Sequence, residues 1–209
     1  MAASQKHTRG RGRPRDETAR LRILKAALDL MDEHAFPYVT AEAIAERAGT
    51  SKATLYRWWP NKAAVVIDAF GQAVAPELPL LDTGSLRDDL AAQARNFARM
   101  LSGRGGRMLR SFIVAARSDR DVAAAFRSIW SDPRRAEAKE MLRQKQERGQ
   151  LRKDADLDLV LDSLYGPLYY RFLVKNEPPS QKYAEALAGL VIQGLVAPRR
   201  SRPSIRIDA

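Results

Sequence analysis

The sequence predicts an all-α protein. Apolar residues recur at steps of three and four through most of the chain, and nowhere do they alternate as a strand would require. Residues that start helices (Thr40, Ser51, Asn61) and residues that stop them (Gly49, Pro60, Gly149) stand at the edges of those periodic stretches. With 45% hydrophobic residues in 209, the chain has ample material for a packed core.

Residues 1–15 are polar and rich in Gly and Arg, and read as a flexible basic arm. From Asp16 the pattern turns helical. Ile23, Leu24, Ala27, Leu28 and Met31 form an apolar stripe with Arg20, Arg22, Lys25 and Asp29 outside it, and Phe36-Pro37 ends the helix. Two short helices follow. The Thr40 hydroxyl accepts from an unpaired amide of the first, and Ile44, Ala45 and Ala48 share its buried face. Gly49 suits the left-handed backbone that ends a helix, and Ser51 caps the next one. Pro60 stops that helix, and Asn61 caps a fourth that runs from Lys62 through Val65, Val66, Ala69 and Phe70. Trp59, three and four positions from Tyr56 and Leu55, belongs to the core. The first three helices, residues 16–62, make one compact unit, and the fourth bridges to the rest.

Pro76, Pro79 and Gly84 mark a break, after which helices continue to residue 197. Leu86, Leu90, Ala94, Phe97 and Leu101 mark one. Gly103 to Gly106 reads as a turn; it lacks the preceding strand and the Lys-Ser/Thr pair of a phosphate loop. Leu109, Phe112, Ile113 and Ala116 mark another helix. Val122, Phe126, Ile129 and Trp130 mark one that stops near Asp132-Pro133, and Pro133 opens the next. Two long apolar helices close this part, the first from Leu157 to Phe172 with Pro167 inside it, the second from Tyr183 to Leu195. Proline removes a backbone donor and predicts a kink. Residues 198–209 read as a basic tail.

The second short helix carries Lys52, Thr54, Tyr56, Arg57 and Trp58. A cationic, hydroxyl-bearing and aromatic face suits the wall and floor of a DNA groove. The net charge of +11 favours a polyanionic partner. Arginines in the arm, Arg11, Arg13 and Arg15, suit a minor groove, where negative potential is enhanced. The chain has no cysteine, which excludes disulfides and thiol-based redox or zinc sites, and its only imidazoles are His7 and His34. No transmembrane run and no secretory signal are seen, so cytoplasmic residence is expected, with no membrane partner.

These residues resemble the TetR family of bacterial transcriptional repressors. The matching stretch runs from about Ala19 to Phe70 and holds Thr40, Ile44-Ala45, Ala48-Gly49, Ser51, Leu55-Tyr56, Trp59 and Lys62 in that family's order and spacing. Gly166-Pro167-Leu168-Tyr169-Tyr170-Arg171 also resembles one subgroup's penultimate helix. Thr50 departs from the usual valine of the turn, and Ala53 from a frequent glycine. The resemblance implies a homodimer on a near-palindromic operator, with a C-terminal pocket whose occupation pulls the two DNA-binding units out of register. It also implies that Tyr56 and Lys62, with the capping ends at Thr40 and Ser51, meet phosphate.

The candidate DNA-contacting set is therefore Arg11, Arg13, Arg15, Thr40, Thr50, Ser51, Lys52, Thr54, Tyr56, Arg57, Trp58 and Lys62. Lys52, Thr54 and Arg57 are the candidates for base edges, and Trp58 for flanking phosphates. Residues 63–197 are expected to bind an effector and to dimerise. Phe97, Met100, Met108, Phe112, Phe126, Trp130, Tyr165 and Tyr169 are candidates for lining a pocket for a mostly apolar effector with few polar anchors. Arg117 or Arg171, if buried, would receive an anionic group. The resemblance implies a four-helix dimer interface built from the last two long helices; Leu161, Leu164, Leu168, Leu187, Leu190 and Val191 are its candidates, and broad apolar patches, which rarely stay exposed, agree with a partner there. Asp154, Asp156, Asp158 and Asp162 read as carboxylates complementing a helix dipole rather than as a metal site. No cofactor motif is visible. A helical enzyme would need a nucleophile–base pair or a cofactor loop, and none is seen. An architectural DNA protein without an effector would keep the helix-turn-helix and predict a C-terminal core with no cavity.

Overall fold

The computed structural model describes residues 17–195, all helix and connection with no strand among them. The arm with Arg11, Arg13 and Arg15, and the basic tail, lie outside the described residues. The helices are α1 (Glu17–Glu33), α2 (Ala41–Arg47), α3 (Lys52–Tyr56), α4 (Lys62–Val74), α5 (Leu86–Ser102), α6 (Arg104–Ala115), α7 (Arg120–Ala125), α8 (Asp132–Glu147), α9 (Leu157–Tyr169) and α10 (Gln181–Leu195). Short 3₁₀ turns lie at Phe36–Tyr38 and Ala75–Glu77.

α1 lies along α4 and is tied to it by one carboxylate. Asp68 on α4 accepts from the Trp59 indole at 2.9 Å, from Gln72 at 2.8 Å and from Arg20 on α1 at 3.3 Å. α2 is held to α1 by the Arg47–Glu33 fork at 2.6 and 2.9 Å, and by Arg22, which donates to the Ala48 carbonyl at 3.2 Å. α4 packs on α1 on one side and on α6, α7 and residues 126–131 on the other. The buried residues therefore run without interruption from Ile23 and Ile44 through Phe70 to Leu109 and Leu142.

Two connections differ from the sequence expectation. Gly103 to Gly106 is not a turn: Gly103 caps α6, which starts at Arg104. An added Cβ on Gly106 would stand 1.9 Å from the Leu101 carbonyl oxygen, and one on Gly105 would stand 2.8 Å from Met100 Sδ. These glycines let α6 start against the last turn of α5. Nor does a helix stop at Asp132-Pro133. α7 continues through a π-helical turn, Phe126–Ser131, directly into α8. The Asp132 amide reaches back five residues to the Arg127 carbonyl, so the wider turn brings the chain to Pro133, which has no amide to give. A second π turn, Tyr170–Val174, continues α9 beyond Pro167.

The linker before α5 is fastened to α8 by a buried lysine. Lys145 is fully buried and lies 2.6 Å from both Asp82 and Asp89. Asp89 also accepts from the Thr83 amide at 2.9 Å and its hydroxyl at 2.7 Å. Burial presses the Lys145 pKa down, but the hydrogen bonds to Asp82 and Asp89 outweigh it and hold the pKa above the usual lysine value.

Candidate nucleic-acid interface and cavity

The α2–α3 corner is fixed by backbone geometry. Gly49 has φ 62°. Its amide donates to the Glu46 carbonyl at 3.0 Å, and the Thr50 amide donates to Ala45 at 2.9 Å. This bond pair closes the helix and satisfies two carbonyls that would otherwise be orphaned. The Thr40 hydroxyl accepts from the Ala43 amide at 3.1 Å, and the Ser51 hydroxyl from Thr54 at 3.2 Å. α3 rests on Leu55, which is fully buried, and on Trp59 just beyond it.

This leaves Ser51, Lys52, Tyr56 and Arg57 exposed along α3 and its cap, with Thr50 and Thr54 half-buried beside them. Lys52 pairs with Glu42 at 2.5 Å. Both groups are solvent-exposed and screened by water and salt, so the pair is weak and phosphate can displace it. The Arg57 amide donates to the Leu55 carbonyl, while its guanidinium has no hydrogen bond or ion pair among the described residues. Two candidates are placed differently. Trp58 is half-buried, 6.2 Å from the Trp59 ring centroid, with the Arg20 guanidinium 5.8 Å above it. Lys62 folds inward: its ammonium lies 4.3 Å from the Phe36 ring centroid and 3.4 Å from the Phe36 carbonyl, and burial lowers its pKa. Neither placement was legible in helical spacing, because Phe36 is brought to Lys62 by the chain's return after α1.

Between α5, α8, α9 and the linker lies a cavity of about 400 Å³. Phe97, Trp130, Tyr165 and Tyr169 line it, as four of the eight pocket candidates. Met100, Met108, Phe112 and Phe126 do not; the first three are core residues. Phe112 sits between Phe36 and Phe70, with centroids at 5.8 and 5.3 Å, because α6 faces α1 and α4 rather than the cavity. Gln93, Asn96, Arg134 and Arg135 line the cavity and were missed by a search confined to aromatics and methionines. The Tyr165 hydroxyl donates to Gln93 Oε1 at 3.0 Å, and burial pushes its pKa up to about 12. Arg117 is exposed; Arg171 pairs with Glu177 at 2.6 Å and stacks on Tyr183.

The dimer candidates divide as well. Leu161, Leu164 and Leu168 are buried within the protomer, on the inward face of α9, and cannot meet a partner. Leu187 and Val191 are half-buried, and Leu190 is 67% exposed. The outward stripe of α9 and its extension is Leu159, Ser163, Gly166, Tyr170 and Val174, at steps of three and four. Sequence reasoning missed this stripe because both faces of α9 are apolar. Among the aspartates, Asp156 caps α9 through the amides of Asp158 and Leu159, while Asp158 pairs with Arg135 and Lys139.

The model for bacterial regulatory proteins of the tetR family matches residues 23–69, and that for the tetracyclin repressor-like C-terminal domain matches residues 80–191. The chain belongs to the TetR family. It is a DNA-binding transcriptional regulator of that family. It is 41% identical over 187 residues to the uncharacterised HTH-type transcriptional regulator YdeS of Bacillus subtilis (strain 168), covering 90% of this chain and 94% of that one. The crystal structure of the TetR family transcription regulator SCO0332 superposes with a TM-score of 0.75 at 39% identity, covering 86% of this chain and 99% of that chain. The TetR family repressor FadR of Thermus thermophilus, solved in complex with lauroyl-CoA, gives a TM-score of 0.65 at 26% identity, covering 88% of this chain and 98% of that chain. No helix among the described residues is long and apolar enough to cross a membrane.

Proposed function

We propose that this regulator is a homodimeric repressor that binds a near-palindromic duplex operator through α3 and its flanking caps, and that a small effector in the cavity releases it. Residues 16–62 carry the DNA contacts and 63–197 the effector site and dimer contacts. Ser51, Lys52, Thr54, Tyr56 and Arg57 form the groove-facing surface, with Thr40 at a phosphate. Leu190 and the Leu159–Val174 stripe meet their counterparts in the partner.

One observation carries the release mechanism. Trp130 in the cavity wall packs on Phe70 of α4 at 5.0 Å, Phe70 on Phe112 of α6 at 5.3 Å, and Phe112 on Phe36 behind α1 at 5.8 Å. A ligand that moves Trp130 therefore pushes on the helix that bridges the two halves. By reciprocity, DNA must weaken effector binding by the same factor. The cavity also favours this reading over an architectural protein with a solid core, and the FadR relative, solved in complex with lauroyl-CoA, supports a small-molecule ligand.

The test is selection of bound sequences from random duplex DNA with the purified protein. An enriched inverted repeat supports the dimeric reading. Binding without enrichment that falls steeply with salt would leave only the electrostatics of a basic chain and refute it.

A further inference from the structure

The cavity carries chemical information beyond its size. Its wall is built of ring edges and faces: Phe97 stands 5.1 Å from Tyr165 at 81° and 5.2 Å from Tyr169 at 65°. Such a lining grips a flat π system by edge and face contacts. Hydrogen-bonding capacity is left over beside it. The Tyr169 hydroxyl has no hydrogen bond among the described residues. Gln93 is buried and spends one N–H on Met141 Sδ at 3.3 Å and its oxygen on Tyr165, which leaves its second N–H unused. The Asn96 carbonyl accepts from Arg99 at 3.1 Å, while its amide hydrogens have no partner among the described residues.

The charges of the lining are already committed. Arg135 holds Asp158 at 2.9 Å and Asp162 at 2.7 Å. Arg134 binds the Leu78 carbonyl and Glu137. Each guanidinium of the lining therefore already has a carboxylate partner, and Asp132 adds a negative charge that opposes an anion. Asp132 lies exposed at the start of α8 and accepts from the Ser131 hydroxyl at 3.1 Å, so it needs no ligand cation. A charged ligand would lose its hydration here with little in return.

We propose that the cavity takes a neutral, planar aromatic ligand of about two or three fused rings, bearing an acceptor oxygen such as a ketone, for which the volume of about 400 Å³ leaves room. The Tyr169 hydroxyl donates to the oxygen, with the unused N–H groups of Gln93 and Asn96 elsewhere in the lining, and Phe97, Trp130 and Tyr165 hold the rings. The assignment rests on the cavity being the effector site.

Four naphthalenes with one ring system and different heads test it by calorimetric titration of the full chain: 2-acetylnaphthalene, 2-ethylnaphthalene, 2-naphthoate and protonated 2-(aminomethyl)naphthalene. The ketone should bind roughly tenfold or more tighter than either ion. It should bind roughly 2- to 10-fold tighter than the ethyl compound, the value of one hydrogen bond. Tyr169→Phe should shrink the ketone-over-ethyl margin while leaving the affinity for the ethyl compound unchanged. Preference for either ion, equal affinity for ketone and ethyl compound, or no binding of any probe overturns the proposal. Release of operator DNA is read separately. A ketone that binds in the expected order yet leaves the duplex bound supports the ligand chemistry and overturns the effector reading of the cavity.

Discussion

Gly71 lies directly beneath the Trp130 indole: an added Cβ would stand 3.3 Å from Trp130 Cε3. The glycine lets the indole pack flat on α4 while it forms the cavity wall. Gly71→Ala should gain about 1 kcal/mol of helix propensity and lose a similar amount to crowding. The melting temperature should therefore move by only a few degrees, about the shift that 1 kcal/mol produces in a chain of this size. The near-ultraviolet circular dichroism should change, because the ring must move. An unchanged aromatic spectrum would show that the contact is slack.

Gly106 has no such freedom, since the atom a Cβ would strike is a backbone oxygen. Gly106→Ala should destabilise by roughly 3 kcal/mol or more, read from urea unfolding. A loss below about 1 kcal/mol would contradict the tight α5–α6 junction.

Lys145 is paired where water does not reach. Lys145→Met should destabilise by about 3–5 kcal/mol, because Asp89 keeps its charge in a dry site. Adding Asp89→Leu should recover part of that loss; a fully additive double mutant would deny the pairing. The same cluster predicts acid sensitivity. Hydrogen bonds from Lys145 and Arg148 lower the Asp82 pKa from 3.8 to about 2. A carboxylate held lower when folded contributes stability above its unfolded pKa and loses it on acidification. Unfolding midpoints should therefore fall as pH drops from 3.8 toward about 2, and Asp82→Asn should flatten that slope.

Leu190→Glu should give a folded monomer with unchanged helical content and greatly weakened operator binding, seen by sedimentation. Leu164→Glu, which places a charge in a fully buried site, should unfold the protomer instead. If both variants stay dimeric, the α9–α10 interface is wrong.

On the DNA side, Arg57→Ala should relax base preference at one operator position, at a cost of about 1–3 kcal/mol, whereas Thr40→Ala should weaken all sequences alike. Selection from random duplexes separates the two. Loss of preference at no position would remove Arg57 from the base-reading set.

The all-α fold and the helix-turn-helix were legible because their signals are local: the caps at Thr40, Ser51 and Asn61, and the left-handed Gly49, each act within a few residues. The inside and outside of α9 were not. Leu161, Leu164 and Leu168 alternate with Leu159, Gly166 and Tyr170 around a helix apolar on both sides, so composition does not separate core from contact surface. The same limit holds for Met108 and Phe112, which helical spacing groups with Trp130 but which face another helix. Lys62 and Trp58 escaped because α1 and the Phe36 turn, distant in sequence, decide where they point.

The hydrogen bond from the Phe36 amide to Ser111 Oγ, 2.8 Å long, has a bearing on hybrid regulators. It stands at the seam where the aromatic run crosses from α6 to the DNA-binding helices. A reading head transplanted from another regulator onto this effector half would bring its own residue to the Phe36 position and would have to meet Ser111 and Phe112 as they stand. Grafts that carry Phe36 with the effector half should keep their response, and grafts that cut ahead of α4 should bind DNA yet no longer hear the ligand.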